Sequence, residues 1–519
     1  MNQTDLQRTP SMALFLHRRV VTMLFLGFSA GIPLLLIFSS LSLWLREAGV
    51  ERAAVTYFSW AALGYSFKFV WAPLVDQLAL PGLSNRLGRR RAWMLLAQLA
   101  IMLAILSMAM INPASQQSSL TLMAMAAVLL GFSSATQDIV IDAYRIESAG
   151  PELQAMMSAT YIAGYRVGML VAGAGSLFLA DWFGSSSEIY NYQAWQWTYC
   201  AMALAMLVGI TTTLVIPEPE VSRSVGESFS TRDRLRFLLL FVIAIGGFVC
   251  VFFFSADGIN IVMTLLSSAT GSPYLAVFLM ESLRLMLALA GAWLLAMLLV
   301  RLGLVDYAMV EHSYLRPVRD FFERYGWSLA WILLALIGLY RVSDIVLGII
   351  SNLFYQDLGF SKSEIASVVK TFGLLMTIAG GFVGGVLALR FGVIRILLLG
   401  AVLSAATNLL FMLLAGIGYD LFWLYLVISA DNLSAGIASA AFVAFLSSLT
   451  NVSFTAMQYA IFSSLMTLIP KLLGGYSGSM VDAMGYPVFF LLTAILGVPV
   501  VLLIVAAAKR FEIRERGKA

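Results

Sequence analysis

Nothing constrains this chain more than its repeated apolar runs. Stretches of about 20 residues, long enough to cross a hydrocarbon core of about 30 Å, recur from residue 19 to residue 508. A backbone in lipid must satisfy its own polar groups, so runs of that length can only be helices. Hydropathy, breakers and charges place spans at 19–45, 53–75, 92–111, 119–143, 155–180 and 195–216, and again at 328–355, 363–389, 394–417, 420–449, 454–478 and 486–508. Two more, 236–256 and 273–300, lie between the sets. The expected fold is an all-α polytopic membrane protein with 14 transmembrane helices: two six-helix bundles and an extra helix pair between them. The domains are then 1–218, a linker with the extra pair at 219–312, an amphipathic helix at 313–327 and a second bundle with its tail at 328–519. In the amphipathic segment Leu315, Val318, Phe321 and Phe322 recur at helical spacing opposite charged residues, as in a helix lying on a membrane surface.

Orientation follows from the cations, which accumulate on the cytoplasmic side of spans. Of the 32 Lys and Arg, only Arg46, Arg52 and Lys362 fall outside if the N-terminus is inside. Lys68, Arg166, Arg284, Arg341, Lys370 and Lys471 lie within spans, and the others are cytoplasmic, with Arg19, Arg236 and Arg395 at the cytoplasmic edge of a span. Both termini are therefore expected in the cytoplasm. His17, Arg18 and Arg19 before an apolar run resemble a signal peptide, but the run is too long and lacks an A-x-A site, so it reads as a retained first helix. Cys200 and Cys250 sit inside spans and suggest neither a disulfide framework nor a metal cluster.

Residues Ser133 to Arg145 place charge inside one of these runs. Asp142 and Arg145 follow Asp138 by four and seven residues, which at about 3.6 residues per turn puts all three on one face beside Gln137. A charge at bilayer depth costs at least a few kcal/mol, so such a face turns toward protein or water. It is either a buried structural ion pair or part of a transport pathway.

The two six-span sets correspond in their unusual residues. Lys68 and Lys370 occupy the second span of each set, Asp138 and Asp431 the fourth, and Arg166 and Lys471 the fifth. Three matches in register point to a duplicated half, a common construction among secondary transporters. Gly27 with Gly31, Gly164 with Gly168, Gly380 with Gly384 and Gly474 with Gly478 each form G-x-x-x-G, which lets helix backbones approach closely.

The chain has no phosphate-binding loop, which argues against ATP-driven pumping by this chain alone. Its two histidines, His17 and His312, fall in cytoplasmic segments and no H-E-x-x-H occurs, so a zinc hydrolase at membrane depth lacks its ligands. Neither metal nor other cofactor is expected, and an intramembrane enzyme is the rival class. Glu281 with Arg284, and Arg341 with Asp344, are three apart and could neutralise each other. Lys68, Arg166, Lys370 and Lys471 have no such neighbour in their own spans and must meet other helices or a cavity, which would favour an anionic solute. Burial favours the protonated form of a carboxyl group, so Asp138, and after it Asp431, are candidates for proton coupling. Trp60, Trp71 and Tyr165 could stack on sugar rings, or simply pack helices.

The blocks GFSAGIPL at 27–34, FKFVWAPLVD at 67–76, GRRRAW at 88–93, SATQDIVIDAY at 134–144 and GYRVGMLVAG at 164–173 resemble the AmpG muropeptide permeases of the major facilitator superfamily. RDFFER at 319–324, AAFVAFL at 440–446 and NVSFTAMQYA at 451–460 extend the resemblance into the second half. It implies a major facilitator fold in a Gram-negative inner membrane. The activity implied is proton-driven import of N-acetylglucosaminyl-anhydromuramyl peptides for cell-wall recycling, linked to β-lactamase induction. Carried over by matching block are Gly31, Lys68, Ala135, Gln137 and Arg166 for substrate, with Lys370 and Lys471 added from the repeat, and Asp138 and Asp142 for protons, with Asp431 added. Asp76 with Arg89 and Arg90 looks like a stretched form of the superfamily's gating loop, interrupted by the insertion ALPGLSNRL. The expected partners are a sugar-peptide, protons and lipid, with no nucleic acid, and the chain is expected to be a monomer. A related acetyl-CoA transporter with a similar Gln-Asp block is the alternative.

Overall fold

The structure is a computed structural model and describes residues 16–50, 65, 67–185, 190–219, 230–270, 273–361, 364–474 and 477–516, in which every regular element is a helix. In the first half these are α1 (Arg18–Leu35, prolonged through Leu36–Ser40 and Leu41–Glu47), α2 (Arg89–Ala109), α3 (Gln117–Ser148), α4 (Pro151–Leu170, prolonged to Trp182) and α5 (Tyr192–Ala205 with Leu207–Val215). Then follow α6 (Thr231–Thr270), α7 (Pro273–Arg301), α8 (Arg316–Tyr325), α9 (Trp327–Leu339) and α10 (Val342–Asp357). The remainder are α11 (Gly373–Phe391), α12 (Val393–Ile417), α13 (Leu421–Leu449), α14 (Thr455–Gly474) and α15 (Ser477–Arg516), the last broken at Gly485 with φ 76°.

Twelve helical spans among the described residues are long and apolar enough to cross a membrane: five in the first half, Leu235–Phe252, and six in the second. Of the two further spans in the fourteen-span reading, 53–75 falls largely outside the described residues and 273–300 is α7, with many of its side chains also outside them.

The chain divides into two compact units. One contains both six-helix sets, from the N-terminus to Ser222 apart from Asp76–Leu78, and from Phe321 onward. Among the described residues its helices bury one apolar cluster among α1 to α5, one among α10 to α15, and one that joins α9 and α11 to α15 to Ile146 of α3, Ala155 of α4 and Phe321 of α8. The other unit holds Asp76–Leu78 and Arg223–Asp320, where α6 packs along α7. There Arg284 donates to the Phe252 carbonyl at 2.7 Å and lies 4.4 Å from that residue's ring centroid. The Glu281 side chain lies outside the described residues.

Local chemistry explains several helix ends. Gly88, at φ 87°, precedes α2, and the Glu218 carboxylate accepts from the Arg90 and Arg91 amides at 2.8 and 3.0 Å, satisfying donors that a helix start leaves open. A Cβ at Gly88 would lie 2.4 Å from that Glu218 side chain. Arg91 in turn donates to the last carbonyls of α5, at Thr213 and Leu214. Helix α3 runs to Ser148, past the residue 143 expected from hydropathy, and stops just before Pro151. Gln154 from α4 supplies the hydrogen bonds that its terminal carbonyls at Arg145 and Ala149 lack.

At the start of the span containing Lys370, Ser361 and Glu364 form a reciprocal cap, and Tyr419 donates to the same carboxylate at 2.7 Å. The Tyr419 hydroxyl, and after it the Ser361 side chain and amide, hold the Glu364 carboxyl below its ordinary range. A depressed carboxyl stabilises the fold above its unfolded pKa and loses that contribution as pH falls through the folded value. Acidification below about pH 4 is therefore expected to fray residues 364–372, and Glu364→Gln to do so at neutral pH, both read as faster amide exchange in that segment.

Candidate functional site

Helix α3 carries the polar face expected of it. Ala135 and Gln137 are fully buried, and Asp138, Asp142 and Arg145 are each less than a tenth exposed. Lys68, on the short turn Lys68–Val70, places Nζ 3.8 Å from Asp142. Arg145 donates from Nη2 to the other Asp142 oxygen at 3.0 Å and from Nη1 to Ser158 at 2.8 Å and Ser447 at 3.0 Å. Its guanidinium also lies 5.2 Å from the Tyr459 ring centroid. Asp142 is thus held between two cations.

Asp138 is placed differently. Its Oδ1, both amide atoms of Gln137 and the Nε of Arg145 are buried with no hydrogen-bond partner among the described residues. Buried polar atoms are rarely left so, and a cluster of them marks a place for water or a ligand. Lys68 and Asp142 are the charged neighbours of Asp138, and Tyr65, Tyr161, Tyr165 and Tyr459, from three further elements, feel its charge. Tyr65 donates to Ser134 at 2.5 Å. Trp71 is buried against Phe132 with its indole N–H on Thr136 at 3.1 Å, the geometry of a packing residue, while Trp60 lies outside the described residues.

The second half contributes a matching cluster. Arg341 Nε lies 3.6 Å from Asp344 and its Nη1 donates to Ser439 on α13. Asp344 also accepts from Ser404, and Asp431 accepts from Thr407 at 3.3 Å. The two carboxylates are electrostatic neighbours that share Arg341. Arg166 of α4 makes no hydrogen bond or ion pair with a described residue, and the charged side chain acting on it is Arg341 of the other half. Lys370 is exposed on a wide helical turn, Ile365–Phe372. The Lys471 side chain lies outside the described residues. Gly31 is a close-approach position, where a Cβ would lie 2.1 Å from the Tyr165 carbonyl oxygen.

The expected gating residues are also placed. Asp76 is buried and Arg89 opens α2. Arg90, 1% exposed, pairs with Glu147 through two hydrogen bonds of 2.9 and 2.5 Å, and Glu147 also accepts from Thr455 of the second half at 2.9 Å. Together with Arg145 on Ser447 and Tyr459, this joins the halves at the C-terminal end of α3. Sequence reasoning did not single out Glu147, Ser447, Thr455 or Tyr459.

Residues 20–311 match the Major Facilitator Superfamily. The AmpG 4 transporter of Rickettsia conorii is 31% identical over 95% of this chain and 97% of its own. The anhydromuropeptide permease of Escherichia coli K12 is 30% identical over 96% of this chain and 82% of its own. Among solved structures, a double-tryptophan variant of XylE has a TM-score of 0.60 at 12% identity, covering 96% of both chains. The fucose:proton symporter FucP of E. coli has a TM-score of 0.56 at 11% identity, covering 94% of this chain and 97% of that one.

Proposed function

Because the chain belongs to the Major Facilitator Superfamily, and within it to the AmpG permeases, we propose that it carries anhydromuropeptides across the inner membrane from periplasm to cytoplasm, driven by protons. The observation that carries this reading is the buried group of Gln137, Asp138, Lys68, Asp142 and Arg145, with polar atoms that no described residue answers in the interior of an apolar bundle. A sugar-peptide offers hydroxyls, amides and carboxylates to such groups, and the surrounding tyrosines offer flat apolar faces with polar tips.

Both termini face the cytoplasm in this reading, and the halves 1–218 and 328–519 move against each other. The contacts of Arg145 and Glu147 to the second half hold the cytoplasmic end shut, so the site is reached from the periplasm. Release of those contacts, with closure at the other end, would deliver the cargo inward. Asp138 takes the coupling proton, since Asp142 is already committed to Lys68 and Arg145.

Uptake of labelled anhydromuropeptide by right-side-out vesicles tests substrate, direction and driving force together. An imposed inward proton gradient is expected to concentrate the label, and excess coenzyme A esters to leave uptake unchanged. Asp138→Asn is expected to lower gradient-driven accumulation about tenfold or more while sparing exchange of pre-loaded label. Accumulation by the variant at wild-type abundance and wild-type level removes Asp138 from coupling. Inhibition by coenzyme A esters instead of muropeptides removes the assigned cargo.

A further inference from the structure

Arg166 of the first half and Arg341 of the second act on each other electrostatically, and the helices that carry Arg166 and the Arg341 partner Ser439 pack together. Arg166 is half-buried on α4 and makes no hydrogen bond or ion pair with a described residue. Arg341, also half-buried, lies over α13 through its bond to Ser439, and α4 packs on α13. Like charges gathered away from bulk water repel unless an anion lies between them. Asp344 lies 3.6 Å from the Arg341 Nε without a hydrogen bond to it and takes a hydrogen bond from Ser404, and Asp431, the second carboxylate acting on Arg341, takes one from Thr407. That leaves the planar fork of Arg341 short of the two-toothed pairing a guanidinium makes with a carboxylate. The first half's other embedded cations near this region, Lys68 and Arg145, are both engaged by Asp142. Arg166 has no such partner among the described residues, and Arg341 is held only by an ion pair without a hydrogen bond and by Ser439, so these are the two arginines whose forks an incoming anion could complete.

We propose that Arg166 and Arg341 form a two-armed clamp for a carboxylate on the peptide of the cargo, one arm from each half, and that the arriving carboxylate displaces Asp344 from Arg341. This rests on the transport reading above and specifies which part of the cargo the second half reads. The sugar falls to the Gln137 and Asp138 region, and the peptide terminus to the clamp. Because the arms belong to different halves, bound carboxylate also favours their approach.

The test uses the full-length protein in nanodiscs and two ligands: an N-acetylglucosaminyl-anhydromuramyl peptide with free carboxylates, and the same molecule with every peptide carboxyl amidated. Wild type is expected to bind the free acid about tenfold more tightly than the amide, the value of one good charge-assisted contact. Arg166→Gln and Arg341→Gln are each expected to bring that ratio close to one, with melting temperature and a monodisperse elution profile at wild-type values showing that the variants are folded. Asp344→Asn removes the internal competitor and is expected to raise free-acid affinity several-fold. A preference for the free acid that survives both arginine substitutions overturns the clamp and leaves the transport reading standing. Failure of wild type to bind either ligand overturns both.

Discussion

Replacing Arg145 with leucine is expected to lower transport about 100-fold at equal membrane abundance, and to leave the bundle open at the end where α3 terminates. Arg145 is fully buried and serves both halves at once. Asp142 and Ser158 are its partners in the first half, Ser447 and the Tyr459 ring in the second. The first two contacts survive any rigid motion of the halves, whereas the last two exist only when this end is closed. A hydrogen bond from a charged donor contributes about 1.5 to 3 kcal/mol and a desolvated cation–π contact about 1 to 2, so about 3 kcal/mol of bias toward the closed state rests on this one side chain. Losing it shifts the equilibrium about a hundredfold. The substitution also leaves Asp142 with Lys68 alone at 3.8 Å. Arg145→Lys keeps the charge but cannot reach Ser158, Ser447 and Asp142 together, so it is expected to fall between leucine and wild type. Amide exchange over 444–458 should rise in both variants in the same order. Uptake and exchange unchanged in Arg145→Leu would remove the closure role.

What the sequence made legible was whatever depends on spacing within one helix. The face of Asp138, Asp142 and Arg145 follows from offsets of four and seven, and the structure buries all three. The partners of that face were not legible, because the approach of Lys68 to Asp142 and the reach of Arg145 to Ser447 depend on how separate helices pack. Glu147 shows the same limit at a boundary. Hydropathy ends its span at residue 143, yet helical hydrogen bonding continues to Ser148, and Arg90 from another helix supplies the charge that permits its burial. Arg341 and Asp344 show it in reverse. Their spacing of three correctly brings them together, but reading them as mutually neutralised overlooks Ser404, Ser439 and Asp431, which compete for the same atoms. Wide helical turns at Val171–Gly175 and Ile365–Phe372 carry no periodic signal in the sequence, although the second displays Lys370.

Gly164→Ala is expected to abolish nearly all folded protein, the largest effect of a single methyl group at any described glycine. The G-x-x-x-G of α1 and that of α4 interlock, because a Cβ at Gly164 would lie 1.9 Å from the Leu24 carbonyl oxygen and one at Gly27 would lie 2.2 Å from that of Tyr161. Gly31 and Gly168 repeat the arrangement one turn along, at 2.1 and 2.2 Å from the Tyr165 and Phe28 oxygens. The obstacle in each case is backbone, so no side chain can rotate away and the two helices must part by about 1 Å. Overpacking against movable side chains already costs about 1 to 3 kcal/mol, and separating two whole helices costs more. Separation would also carry Tyr161 and Tyr165 away from Asp138, so protein that survives should lose affinity for cargo. Gly348 supplies the contrast, since it too is helical but exposed, with nothing within 4 Å of a Cβ built there. Alanine at Gly348 should be neutral or stabilising by up to about 1 kcal/mol, from helix propensity alone. Yield of monodisperse protein in detergent and its melting temperature separate the two variants, and equal behaviour would mean that α1 and α4 do not meet backbone to backbone.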